Sequence, residues 1–264
     1  MVSTTNDEVE QWLREIEARP RTIQTYQETL KQYLIWANGK LPESGEQAQK
    51  FITYLGDLGR SSGTLAVRAN GLRRYLTWKN IPTRRLEKTS RQLTAPDYLS
   101  REEFLRLLAA CSNEPLRCLL ALLYDTGARL NEILELKHAD VNLDGFVQVT
   151  RKGGRVEWTP VSDWGIPYLQ WLTSKADKSH TRLFGTLNRN WVYSRLRIAI
   201  KKSGLDHFHP HMLRHSRAVH LIDQGVDIRD VAYQLGHVNP GTTMSIYTRP
   251  QAHDLRKRIP APDL

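Results

Sequence analysis

Five residues between positions 129 and 247 have side chains that could together break and rejoin a phosphodiester bond. Arg129 and Arg214 carry planar, permanently charged guanidinium groups, which suit two-point contact with phosphate oxygens. His211 and His237 can donate hydrogen bonds to a phosphate oxygen, and the Tyr247 phenol can act as a nucleophile. Phosphoryl transfer requires an in-line nucleophile, stabilisation of charge on the oxygens and proton transfer. These residues therefore predict a transesterification that needs no metal ion.

Arg129 and Lys152 have neighbours that predict how each is positioned. Arg129 follows a Thr-Gly turn, and Glu132 comes three residues later on the same helical face, where a plain ion pair is the alternative to a functional role. Gly153 and Gly154 separate two alternating apolar runs, which predicts a β-hairpin over residues 147–161. Lys152 would then lie at the tip of the hairpin. A basic tip that only contributes positive charge is the alternative interpretation of this lysine.

His211 and Arg214 lie in the motif HPHMLRHS and would share one face of a helix, because they are three residues apart. A histidine and an arginine at this spacing often occur together by chance, so the surrounding motif carries most of the information. Two further histidines lie beside this pair. His215 is predicted to be structural, and the role of His209 stays open.

His237 and Tyr247 lie on either side of a turn-prone segment at residues 238–241. Gly236 is predicted to cap the preceding helix and to point His237 out of it, although a histidine that only caps the helix dipole is the alternative. A tyrosine has an ordinary pKa of about 10, so Tyr247 needs surrounding positive charge to attack at neutral pH. Most tyrosines are packing residues, but Tyr247 is the one of ten that follows a Leu-Gly-His motif with two threonines between.

With these motifs, the chain from about residue 9 to residue 249 resembles the tyrosine recombinases of the phage integrase family. The resemblance implies that Tyr247 attacks a DNA phosphate to form a 3′-phosphotyrosine link, and that strands exchange through a Holliday junction without a metal ion or cofactor. It implies that Lys152, rather than the nearby arginines, protonates the leaving 5′-oxygen, and that Glu132 supports the active-site arginine and histidine. Many family members carry the tyrosine nine residues after the histidine, whereas Tyr247 comes ten residues after it, and the turn-prone segment can absorb the additional residue.

The spacing of apolar residues predicts the elements that position this set. In the N-terminal part it predicts a helix that Pro20 ends, a second helix that begins at Thr22 or Thr25, helices near residues 45–58 and 62–78, and no strand before residue 88. In the C-terminal part it predicts a capping box at Ser100–Glu103, a buried helix at 116–124, the hairpin, and helices near 166–174, 190–202, 211–224, 227–235 and 240–248.

The predicted fold class is therefore mainly α, or α+β, in two domains. We expect an all-helical domain over residues 1–88, a linker over 89–96, and a mixed helical domain with a small β-sheet or hairpin over 97–264. The resemblance implies that the first is a SAM-like core-binding domain and that the second is a catalytic domain of the DNA breaking-rejoining type. It also implies that the two form a C-shaped clamp around DNA.

The charge of the chain favours a polyanionic partner. The net charge is +10 and the pI is about 9.7, which favours nucleic acid ahead of an anionic membrane, with an inert basic surface as the alternative. From Arg60 to Arg91 there are nine basic residues and one acid, Glu87. A segment of one sign predicts phosphate contact, and a basic linker is the alternative. The candidate DNA-binding residues are Arg60, Arg68, Arg73, Arg74, Lys79, Arg84, Arg85 and Lys88.

Other classes of protein are disfavoured by the sequence. No apolar run approaches the roughly 18 residues of a membrane span, and the first twelve residues are polar and acidic, unlike a signal peptide. Cys111 and Cys118 are the two cysteines, and we expect them on one face of a single helix, reduced and in the core of a cytoplasmic protein. Their surroundings contain no metal-ligand pattern, so no metal is expected.

The resemblance also implies partners. We expect double-stranded DNA with short inverted-repeat sites, and self-assembly to a tetramer on two sites. Because the core-binding helices begin almost at residue 1, we expect a simple Xer- or Cre-like type without an arm-binding domain, and exchange of the short C-terminal segment between subunits is a hypothesis. The alternatives are a relaxation enzyme like the type IB topoisomerases, which use the same residue set, and a catalytically silent DNA-binding regulator with the same fold.

Overall fold

The computed structural model describes residues 2–87, 97–151, 153–237 and 241, and its contacts divide the chain into two units, Met1–Leu93 and Thr94–Leu264. Helices predominate in the described residues, and a single antiparallel sheet of three strands lies among those of the second unit. The predicted mainly α fold class is therefore confirmed. The predicted linker at residues 89–96 lies outside the described residues. No helix in the described ranges is long and apolar enough to cross a membrane.

The first unit consists of four described helices around an aromatic core. Trp12 is fully buried, stacks on Tyr26 at 5.8 Å between ring centroids and meets the edge of Tyr75 at 5.4 Å. Aromatic pairs in these geometries contribute beyond the area that they bury. The helices are α1 (Val2–Glu15), α2 (Pro20–Trp36), α3 (Gly45–Asp57) and α4 (Ser62–Trp78).

The start of α2 differs from its prediction. We expected the helix to begin at Thr22 or Thr25, but it begins at Pro20, with Arg19 at the cap position in an extended conformation. Proline is compatible with the first turn of a helix, because the amide proton that it lacks would have no partner there and its fixed φ is already helical. Pro20 therefore starts α2 as well as separating it from α1.

The second unit packs seven described helices and the sheet around one central helix. This helix, α6, is buried on nearly every side, and Leu119, Leu120, Leu122 and Leu123 have no exposed surface. It packs against α8 and α10. The elements are α5 (Arg101–Ala110), α6 (Glu114–Thr126), α7 (Leu130–Leu134), β1 (Val141–Asn142), β2 (Phe146–Thr150), β3 (Val156–Pro160), α8 (Ile166–Lys175), α9 (Arg189–Ser203), α10 (Pro210–Asp223) and α11 (Ile228–Leu235).

The predicted hairpin and capping box are both confirmed. Strands β2 and β3 pair antiparallel, with Thr150 opposite Val156, and Gly153 and Gly154 adopt the left-handed backbone (φ +100° and +84°) that the connecting turn requires. The Ser100 hydroxyl and the Glu103 carboxylate satisfy each other's backbone N–H groups at the start of α5. Strand β1 was not predicted, because two residues are too few to show a period of two.

The prediction that the two cysteines share one helix is wrong. Helix α5 ends at Ala110, Cys111 caps its end, and Cys118 lies in α6 after the Asn113 side chain has capped the start of that helix. Both thiols are free and buried, and burial raises the pKa of Cys111 to about 11 and that of Cys118 to about 12. They are core residues, as expected, but of two helices.

Asp125 joins the end of α6 to two other parts of the second unit. Its carboxylate is 1% exposed and accepts hydrogen bonds from the Ser162 backbone N–H and hydroxyl, both at 2.7 Å. It also forms an ion pair with Arg217 of α10 at 3.3 Å. A Cβ at Gly165 would overlap this carboxylate, so only glycine allows the loop before α8 to approach it.

We expect the substitution Asp125→Ala to lower the free energy of unfolding of the second unit by about 2–4 kcal/mol. The substitution leaves the partly buried Arg217 without its counter-ion and removes two hydrogen bonds. Urea unfolding followed by tryptophan fluorescence measures the change. Asp163→Ala, at an exposed position two residues before Gly165, is the matched control and should change it by less than about 0.5 kcal/mol. Equal effects of the two substitutions would contradict this role of Asp125.

Candidate active site

Arg129 lies at the start of α7, directly after a tight reversal of the chain. Helix α6 ends at Gly127, which has a left-handed backbone (φ +63°), and a Cβ there would lie 2.6 Å from Leu235 Cδ2. The Glu132 carboxylate accepts hydrogen bonds from the Arg129 backbone N–H at 2.9 Å and from its Nη1 at 2.7 Å. The predicted position of Arg129 at a helix start, one turn before Glu132, is confirmed.

Glu132 is shared by two arginines. Its side chain is 7% exposed, and Oε2 accepts a second hydrogen bond from Arg151 Nη1 at 2.8 Å. Burial alone would raise the pKa of Glu132, but the hydrogen bonds from Arg129 and the charges of Arg151 and Arg129 lower it below its usual value. The carboxylate is therefore a buried anion between two cations.

Arg151 is a buried residue of this site that the sequence analysis did not predict. Its side chain is 2% exposed, and besides Glu132 it donates to Glu157 Oε2 (3.2 Å), Thr159 Oγ1 (2.9 Å) and the Gln234 carbonyl (3.1 Å). A signal was present in the sequence. Val147 and Val149 are the buried positions of β2, and Arg151 continues their alternation toward the core.

Arg214 is held by the ends of two helices. It lies on α10, is 2% exposed, and its Nη1 donates to the Gly127 carbonyl at 2.7 Å and to the Leu235 carbonyl at 2.5 Å. These carbonyls belong to the C-terminal ends of α6 and α11, where helix dipoles favour a cation. The backbone thus fixes one side of the guanidinium group.

The two predicted histidines lie within electrostatic reach of both arginines. His211 is in the first turn of α10 and keeps exposed surface, and His237 directly follows Gly236, which caps α11 with a left-handed backbone (φ +65°) as predicted. Partial burial and the charges of Arg214 and Arg129 lower the pKa of each histidine to about 4. Arg151 lowers the pKa of His237 further. Both imidazoles are therefore neutral at pH 7.

The two neighbouring histidines differ in their surroundings. His215 meets the ring of His211 edge to face at 4.6 Å between centroids, and burial together with His211 and Arg214 lowers its pKa to about 4. The structural role expected for His215 stays a prediction. His209 occupies the cap position of α10 without a capping hydrogen bond from its side chain.

The structure therefore brings together five of the seven predicted site residues: Arg129, Glu132, His211, Arg214 and His237. Lys152 and Tyr247 lie outside the described residues, as does the predicted helix at 240–248 except for residue 241. Among the residues that the structure describes, no group of three or more His, Cys, Asp or Glu side chains could hold a metal ion.

Three of the predicted DNA-binding residues have exposed side chains that make no hydrogen bond or ion pair with any described residue. These are Arg60, Arg74 and Arg84. Arg74 lies on α4, and the other two lie in the segments before and after that helix. Their charges are available to a partner.

Four others in this set are engaged within the first unit. Arg68 donates to the Thr29 hydroxyl at 3.1 Å, and Arg73 donates to the carbonyls of residues 86 and 87 at 3.2 and 3.1 Å. Lys79 pairs with Glu8 at 2.9 Å, and Arg85 pairs with Glu46 at 2.7 Å. Lys88 lies outside the described residues.

Comparison with known proteins identifies the family. Residues 97–254 match the phage integrase family. The tyrosine recombinase XerC of Xanthomonas campestris pv. campestris (strain B100) is 30% identical over 260 residues, which cover 89% of this chain and 80% of the relative.

Solved structures show the same fold. The site-specific recombinase XerH bound to palindromic difH in a post-cleavage complex matches with a TM-score of 0.74 at 21% identity, over 89% of this chain and 78% of that chain. A lambda integrase tetramer bound to a Holliday junction matches with a TM-score of 0.71 at 18% identity, over 95% of this chain and 79% of that chain. Since the family match covers more than half of the chain and the XerC match nearly all of it, the chain belongs to the phage integrase family of tyrosine site-specific recombinases.

Proposed function

We propose that this recombinase cleaves and rejoins DNA at short inverted-repeat sites, with Tyr247 as the nucleophile. The observation that carries the proposal is the grouping of Arg129, Arg214, His211 and His237 around one region of the second unit. Two permanent cations and two neutral imidazoles suit a phosphate that gains charge on its non-bridging oxygens as it is attacked. The recombinases named above support the recombination reaction and do not favour the topoisomerase or the silent regulator.

In the proposed reaction the Tyr247 oxygen attacks the phosphorus, and the bond to the 5′-oxygen breaks. The phenol proton passes to solvent, a 3′-phosphotyrosine forms, and Lys152 donates a proton to the departing 5′-oxygen. A 5′-hydroxyl from the partner duplex then attacks the phosphotyrosine, releases Tyr247 and makes a Holliday junction, which a second pair of exchanges resolves. The covalent phosphotyrosine bond conserves the energy of the phosphodiester bond, so the reaction needs no external energy source.

Arg129 and Arg214 would stabilise the phosphate by charge, whereas the histidines would act by hydrogen bonding. Both histidines have a pKa of about 4 in the free protein, so a proton on either would have to be acquired on binding DNA. A neutral imidazole still donates one hydrogen bond to a phosphate oxygen. Glu132 would support this set by fixing the direction of the Arg129 side chain.

We further propose that the first unit binds DNA through its exposed arginines, and that the active form is a tetramer on two sites. Arg60, Arg74 and Arg84 support the DNA contact, because their side chains are exposed and have no protein counter-ion among the described residues. The lambda integrase tetramer on a Holliday junction supports the assembly. The two free, buried cysteines agree with a reducing compartment, which we propose to be the cytoplasm.

Tyr247→Phe is expected to abolish covalent attachment to DNA without weakening DNA binding, because it removes only the nucleophilic oxygen. Supercoiled plasmid carrying the chain's own flanking locus is incubated with protein, stopped with SDS and scored for protein–DNA adducts and recombinant circles. Tyr233→Phe, at an exposed tyrosine of α11, is the matched control and should leave the adducts intact. Adducts that persist with Tyr247→Phe would exclude this residue as the nucleophile.

The neutral protonation state of His237 predicts how its variants should rank in cleavage rate. Because the imidazole is neutral at pH 7, His237→Gln, which keeps a neutral donor, should retain cleavage within about tenfold, whereas His237→Leu should lose about 100-fold. The measurement is the single-turnover rate of adduct formation at saturating protein. A Gln variant as slow as the Leu variant would contradict hydrogen bonding by a neutral side chain as the role of His237.

The exposed and the engaged arginines of the first unit should respond differently to substitution. Arg74→Ala should weaken DNA binding and reduce the slope of log affinity against log salt by about 0.9, as expected for the loss of one phosphate contact. Arg73→Ala should mainly lower thermal stability, because Arg73 caps two carbonyls of its own unit. Fluorescence anisotropy from 50 to 300 mM salt and thermal unfolding separate the two effects. An unchanged salt slope for Arg74→Ala would exclude a phosphate contact at this residue.

A further inference from the structure

We infer that Arg151 is a positioning residue for cleavage, because its guanidinium group joins the hairpin to the two segments that carry Arg129 and His237. The inference rests on the proposed function, since it assigns Arg151 a role in the same reaction. Arg151 makes no proposed contact with DNA. It acts through the residues that do.

The guanidinium group of Arg151 contacts three separate segments of the second unit. Its Nη1 donates to Glu132 of α7, its Nε donates to Glu157 and its Nη2 to Thr159 of β3, and Nη2 also donates to the Gln234 carbonyl at the end of α11. The four distances lie between 2.8 and 3.2 Å, and the side chain is 2% exposed. A planar group with several donors in fixed directions can satisfy acceptors on three segments at once, whereas a single ammonium nitrogen cannot.

The link to Arg129 passes through Glu132. One carboxylate accepts from Arg129 at both its oxygens, and Oε2 also accepts from Arg151. Without Arg151, the buried carboxylate loses one of its two cations and one of the three hydrogen bonds that fix its orientation. Arg129 is 37% exposed and has Glu132 as its ion-pair partner, so its direction depends on that carboxylate.

The link to His237 passes through the end of α11. Arg151 holds the Gln234 carbonyl, and the Arg151 side chain lies directly against Gly236. A Cβ at Gly236 would overlap the Arg151 Nε and lie 2.7 Å from its Cζ. Glycine is thus required at this position both for its left-handed backbone and for the close approach of the guanidinium, and the next residue is His237.

Arg151 also fixes the base of the hairpin turn. Arg151 is the last residue before Lys152, and its backbone N–H donates to the Arg155 carbonyl at 2.7 Å across the hairpin. The buried side chain therefore anchors the backbone at the point where the hairpin turn begins.

The charges around Arg151 explain why a lysine at this position is the informative substitution. Arg151 faces the carboxylates of Glu132 and Glu157, and Glu157 is also paired with Arg155 at 2.6 Å. Removing the cation would leave Glu132 buried with Arg129 alone, which threatens folding. Arg151→Lys keeps the positive charge and removes only the planar guanidinium group with its several hydrogen-bond donors. Gly236→Ala keeps every charge and displaces the guanidinium.

The test separates cleavage by bound protein from DNA binding. For wild type, Arg151→Lys, Gly236→Ala and Arg217→Lys, we would measure the affinity for the recombination site, the thermal midpoint, and the single-turnover rate of adduct formation on a nicked substrate at saturating protein. Arg217→Lys is the matched control, because Arg217 also pairs with a buried carboxylate of this unit, that of Asp125.

We expect Arg151→Lys and Gly236→Ala to bind DNA within about threefold of wild type and to cleave about 100-fold more slowly, a loss typical of displaced reacting groups. Arg217→Lys should lose thermal stability and still cleave within about threefold of wild type. If Arg151→Lys does not fold, Thr159→Val decides. This variant removes one acceptor of the guanidinium group, leaves the backbone before His237 unchanged, and should also slow cleavage without weakening DNA binding. Wild-type cleavage rates in the folded variants would overturn the role of Arg151 alone, whereas a wild type that forms no adduct would overturn the proposed function and this inference with it.

Discussion

The candidate site depends on one buried carboxylate that two arginines share. Glu132 is almost fully withdrawn from water, and an unpaired carboxylate in that position would be strongly destabilising. Arg129 and Arg151 approach it from α7 and from the hairpin, so the helix start and the sheet are fixed relative to each other. The direction of the partly exposed Arg129 side chain therefore depends on its ion pair with Glu132.

The C-terminal ends of α6 and α11 complete the arrangement, and a glycine caps each of them. Gly127 and Gly236 adopt left-handed backbones, which turn the chain sharply after α6 and α11 and leave carbonyls near each end directed at Arg214. Each glycine also allows a close approach, to Leu235 in the first case and to Arg151 in the second. A side chain at either position would push apart the elements that carry the candidate residues, although neither glycine has chemistry of its own.

Much of the fold and part of the site could be predicted from local patterns. The hairpin followed from two glycines between alternating runs, and the end of α11 followed from Gly236, because these signals act within a few residues. The start of α2 was predicted wrongly because Pro20 was treated only as a helix breaker. The helix break between the two cysteines was missed although Asn113 and Pro115 between them are typical of a helix start. Arg151 was missed because a basic residue near a hairpin tip normally points to solvent.

The sequence by itself determined the family motifs, the order of the helices, the hairpin and the identities of the candidate residues, since each depends on residue type and short-range spacing. Only the tertiary structure decided that Arg151 is buried, that it shares Glu132 with Arg129, and that Arg214 is held by two helix ends. These contacts join residues 19 to 87 positions apart, and whether a charged side chain meets partners or water depends on which distant segments fold against it. For the same reason, four of the basic residues in the first unit are engaged with their own unit, whereas Arg60, Arg74 and Arg84 remain exposed.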